Sequence, residues 1–73
     1  MNDYNVDEIQ LLFLKSIVHL PLSEFINAFD KMFNVKTQCL IFKIDRNRYN
    51  YLARTRQLDM LIMELQEAVK ASG

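Results

Sequence analysis

Residues 22–48 read LSEFINAFDKMFNVKTQCLIFKIDRNR, and this stretch decides the fold. Leu22, Phe25, Ile26, Phe29, Met32 and Phe33 recur at helical spacing, while Ser23, Glu24, Asn27, Asp30 and Lys31 fall on the other side. That pattern marks a helix with one face on a core. Phe33-Asn34-Val35 interrupts it. Asparagine accepts a left-handed backbone more readily than most residues, so Asn34 is the expected break. Lys36-Thr37 opens a second segment, in which Leu40, Ile41 and Ile44 fit a short helix. Gln38, Leu40, Phe42 and Ile44 also alternate as in a strand. Helix is preferred, because a lone strand would lack a partner.

Working outward, residues 6–19 form an apolar segment. Val6, Ile9, Phe13, Ile17 and Leu20 make one stripe, and Leu11, Leu14 and Val18 widen it. Such a helix is expected to be buried nearly all round, either as the central helix of the domain or as part of a subunit contact. Asn5 is its expected cap, with Glu8 at the third helical position. Pro21 stops it and starts the next helix. On the other side, residues 45–50 (DRNRYN) are polar and read as a loop or kink. A long helix is expected from residue 48 or 49 to residue 71. One heptad frame places Tyr51, Leu58 and Leu65 at d, with Thr55, Ile62 and Val69 at a. Branched residues at a with Leu at d suit a two-stranded seam. Tyr51, Leu58, Ile62, Leu65 and Val69 are therefore candidate protein-interface residues, in a homodimer or with a protein partner. The expected architecture is all-α: one domain over residues 1–73, about four helices, with a helix-turn-helix and a long C-terminal helix.

Composition narrows the function. Seventy-three residues make one small core of marginal stability, for which a partner subunit is a common support. Cys39 is the single cysteine, so no disulfide forms within the chain; it reads as a small hydrophobe. A reducing, cytoplasmic location is expected. The start is acidic, unlike a secretory signal, and no apolar run is long enough for a membrane span. No glycine-rich loop exists, because Gly73 is the one glycine. His19 is the one histidine, without the companions that a triad or a metal site requires. No catalytic residues, metal, cofactor or small-molecule substrate are expected.

Net charge is zero but unevenly spread. Residues 1–30 carry Asp3, Asp7, Glu8, Glu24 and Asp30 against Lys15. Residues 31–56 carry Lys31, Lys36, Lys43, Arg46, Arg48, Arg54 and Arg56 against Asp45 alone. Residues 57–73 are acidic again. A central basic block either pairs with the acidic ends or faces an acidic partner.

Two helices joined by a tight turn can present the second helix to the DNA major groove. Lys36, Thr37 and Gln38 would begin that second helix. Gln can pair with adenine, and Lys43, Arg46 and Arg48 could neutralise phosphates. Over about residues 22–48 the chain resembles phage repressor and Cro-type helix-turn-helix regulators. The carriers are Thr37-Gln38, Ile41, Ile44, Asp45, Asn47 and Arg48. Asn34 stands where the family has a turn glycine, and Ala28 lies six residues before it. The resemblance implies a DNA-binding transcription regulator, with Lys36, Thr37, Gln38, Lys43, Arg46 and Arg48 as its nucleic-acid-binding residues. The alternative is a helical modulator that binds a repressor or other regulator without touching DNA.

Overall fold

The computed structural model describes residues 4–72. Among the described residues five helices follow one another: α1 (Glu8–Ile17), α2 (Leu22–Met32), α3 (Val35–Phe42), α4 (Arg46–Arg54) and α5 (Leu58–Ser72). The all-α expectation holds, and residues 37–44 are helical apart from the turn that begins at Lys43. Two local features change the expected C-terminal part: the start of the helix moves forward, and the helix is split in two. Asp45 caps a helix where a loop was expected: its carboxylate accepts from the Arg48 N–H at 2.7 Å. The long C-terminal helix is broken at residues 55–57. There the Thr55 hydroxyl turns back to the Tyr51 carbonyl at 2.9 Å, and Arg56 takes a left-handed backbone with φ 65°. The N–H groups of Arg56 and Gln57 close on the carbonyls of Ala53 and Leu52, satisfying the end of α4.

Local chemistry sets the other boundaries. Asp7, and not Asn5, caps α1, in a reciprocal box with Gln10. Pro21 is the N-cap of α2 and provides no side-chain bond. Asn34 is not left-handed: its backbone is extended, and its side chain caps α3 by accepting from the Thr37 N–H at 2.8 Å. The left-handed residue that ends α3 is Lys43, with φ 59°. Tyr4 stacks edge-on against Phe42, and the Asn5 N–H donates to the Ile41 carbonyl at 3.1 Å. Residues 1–3, with Asp3 of the acidic start, lie outside the described residues.

The core is a cluster of Leu14, Phe25, Phe29, Phe33, Ile41, Tyr49, Leu52, Leu58, Ile62, Leu65 and Val69. Phe29 is its hub, with ring centroids 6.2 Å from Phe25, 5.2 Å from Phe33 and 5.8 Å from Phe42. α5 packs on α1, α2 and α4. This corrects the expected seam. Leu58, Ile62, Leu65 and Val69 face the chain's own core, and Tyr51 lies on a different helix. A side chain already buried at home is not free to meet a second subunit. α1 is not a central helix buried on all sides: Leu14 is fully buried, whereas Ile9, Leu12 and Phe13 are exposed. No helix among the described residues is long and apolar enough to cross a membrane.

Candidate nucleic-acid interface

α3 and α4 are consecutive helices joined by the short turn 43–45. At the turn, the Ile44 N–H bonds to the Cys39 carbonyl at 3.0 Å, and Asp45 immediately caps the next helix. Tyr49 and Leu52, three residues apart, anchor one side of α4 in the core. Helical geometry then sends Asn47, Asn50, Tyr51 and Arg54 outward along one ridge, and all four are exposed. Arg46 and Arg48 flank the ridge and are exposed. The guanidinium carbons of Arg48 and Arg54 lie 5.7 and 5.9 Å from the centre of the Tyr51 ring. Those distances allow cation–π attraction, which holds both arginines beside the ring.

The cations are free of acids. Among the described residues the one ion pair joins Lys70 to Glu67, at 3.9 Å. Lys36, Lys43, Arg46, Arg48, Arg54 and Arg56 are all exposed. The basic block is therefore not consumed by the acidic ends of the chain.

Several of these cations occupy positions that local energetics disfavours. Arg46 and Arg48 sit in the first turn of α4, which holds no acidic residue. That end of a helix carries partial positive charge, so cations there are repelled. Lys43 and Arg56 hold left-handed positions that glycine occupies at less cost. Residues that break a local rule without a local gain point to function. Together they place positive charge at both ends of α4.

Gln38 is a correction. It was expected to contact a base, yet it is fully buried. Its Nε2 donates to the Phe33 carbonyl at 2.8 Å and to Asp30 Oδ1 at 3.1 Å, while its Oε1 accepts from the Tyr49 hydroxyl at 2.8 Å. Both ends of the amide are engaged inside the fold, out of reach of a ligand. Burial pushes the Tyr49 phenol above its ordinary pKa; the charges of Asp30 and Cys39 add to this, and Arg46 opposes it. Thr37 is half-buried in the first turn of α3. Of the six expected nucleic-acid residues, Lys43, Arg46 and Arg48 cluster at the start of α4, and Lys36 stands apart on α3.

Sequence reasoning did not single out Asn47 or Asn50 as contact residues and grouped Tyr51 with a seam on the last helix, whereas the structure sets all three on the exposed ridge of α4 beside Arg54. The signal was present: Asp45 is a good cap, and Tyr49 and Leu52 have helical spacing. Polarity had suggested a loop instead. No protein-family model, curated protein or solved structure matches this chain.

Proposed function

We propose that this chain is a non-catalytic regulator that binds double-stranded DNA through α4. The observation that carries this reading is the exposed basic helix whose cations have no acidic partner. Its nine residues span about 13 Å, and a helix about 10–12 Å wide suits the major groove. Asn47 and Asn50 have the donor–acceptor pair that matches adenine, and Arg54 has the fork that matches guanine. Lys43, Arg46, Arg48 and Arg56 contact phosphates around this ridge, and Lys36 contacts one from α3. Phosphate contacts fix orientation, while the ridge supplies sequence preference.

The test is binding of the full chain to duplex DNA at about 50 and 200 mM salt. Five phosphate contacts imply a log–log slope near −4.5, or an affinity loss of about 500-fold over that range. Absence of any complex at about 50 mM salt overturns the proposal. A second reading, a modulator that docks on another protein without DNA, draws on the exposed apolar residues of α1. Under that reading the α4 cations meet acidic groups of a protein, and the DNA assay is blank.

A further inference from the structure

α1 has a solvent face that the fold leaves bare. Ile9, Leu12 and Phe13 are 64%, 67% and 49% exposed. Spaced at i, i+3 and i+4, they form one continuous stripe. Ser16 extends it, and its hydroxyl donates to the Phe13 carbonyl of its own helix at 2.6 Å. The stripe thus offers a partner little polar chemistry. Loose folding does not explain the exposure: the radius of gyration is 11.4 Å, close to the roughly 11 Å of a compact chain this long.

The charges beside the stripe have a definite arrangement. Glu8 and Lys15 are seven residues apart, about two helical turns, and so lie on the same flank. Leu12 lies between them along the axis. Both charges are exposed, and neither makes an ion pair in the chain.

We infer that this face docks on the same face of a second copy of the chain, with the two α1 helices antiparallel. The two-fold axis then passes beside Leu12. Such an axis maps each flank onto the same flank of the other helix, reversed end to end. Glu8 therefore meets the partner's Lys15, and Lys15 meets the partner's Glu8. A parallel pairing would put the two charged flanks on opposite sides and form neither contact. The surface is thus complementary to itself in one orientation, as an isologous dimer requires. Its few side chains fall short of the roughly 800 Å² per partner of a standard interface. The dimer is accordingly weak and concentration-dependent. This inference does not rest on DNA binding.

Sedimentation equilibrium of the full chain, up to about 1 mM, tests it. The expected result is reversible monomer–dimer exchange. Leu12→Glu should raise the dissociation constant at least tenfold, with the milder Leu12→Ser in between. Glu8→Lys and Lys15→Glu should each weaken the dimer by about two- to thirty-fold, from two exposed pairs lost per dimer. The double exchange Glu8→Lys with Lys15→Glu should restore it. Circular dichroism checks that each surface variant remains folded. A strict monomer overturns the inference, and so does a dimer indifferent to Leu12→Glu. Failure of the double exchange to rescue overturns the antiparallel pairing.

Discussion

The Tyr49 hydroxyl on α4 donates to Gln38 Oε1 on α3 at 2.8 Å, and both side chains are buried. This bond ties the proposed recognition helix to the helix before it. Through the Gln38 Nε2 contacts with Phe33 and Asp30, it reaches the end of α2 as well. Among the described residues no buried side-chain polar atom lacks a partner.

Tyr49→Phe keeps the ring and removes the donor. It leaves Gln38 Oε1 buried without a partner, which costs roughly 1–3 kcal/mol. Chemical denaturation should show a lower midpoint with an unchanged slope. A midpoint equal to that of the parent chain would mean that the amide finds another donor.

The raised pKa of Tyr49 sets an alkaline limit. A phenol harder to ionise in the folded state than in the unfolded state contributes stability below the unfolded pKa of about 10. That contribution is lost as pH rises through the folded value, because the unfolded chain releases the proton first. Stability of the parent chain should fall above about pH 10, and Tyr49→Phe should flatten the fall. An equal decline in both chains would assign it to other groups.

Lys43 holds φ 59° at the turn between α3 and α4. A left-handed backbone costs a side-chain-bearing residue roughly 1–2 kcal/mol, and glycine returns part of the gain as chain entropy. Lys43→Gly should therefore raise stability by about 0.5–1 kcal/mol while weakening DNA binding. Thermal melting and a DNA titration on the same variant would expose this trade. A variant less stable than the parent would show that the Lys43 stem packs on the turn.

On DNA, Arg48→Ala should weaken binding to all sequences alike and reduce the salt slope by about one unit. Asn50→Ala should act differently, costing roughly 1–3 kcal/mol on a preferred site and little elsewhere. Gln38→Ala should change stability and leave site preference intact, because its amide is spent inside the fold. A loss of site preference with Gln38→Ala alone would return the base contact to α3.

Phe29→Ala removes the hub of the aromatic cluster, whose side chain is fully buried. The expected cost is roughly 3–5 kcal/mol, comparable to the whole stability of a small domain. The isolated variant should be largely unfolded at room temperature by circular dichroism.

The sequence by itself determined the helical class, the amphipathic α2 with Phe25 and Phe29 inside, the break after Phe33 and the central block of cations. Those features are local: spacing along a helix and the charge of successive residues do not depend on what lies beyond the next turn. Only the tertiary structure decided which apolar faces were covered. Ile62, Leu65 and Val69 carry the same kind of stripe as Ile9, Leu12 and Phe13, yet the first is core and the second is bare. Periodicity gives the direction of an apolar face and says nothing of how many neighbours it meets. Leu40 shows the same limit: helical spacing groups it with Ile41 and Ile44, yet it is 55% exposed, because the inner side of α3 is taken by Gln38 and Ile41. Gln38 was polar enough to be placed at a DNA contact, and its burial is possible because the Phe33 carbonyl, the Asp30 carboxylate and the Tyr49 hydroxyl satisfy its amide. Those partners sit on the neighbouring helices α2 and α4 and at the turn between α2 and α3, and how these pack around α3 is not written in its own periodicity, so the burial of Gln38 became visible only in the fold.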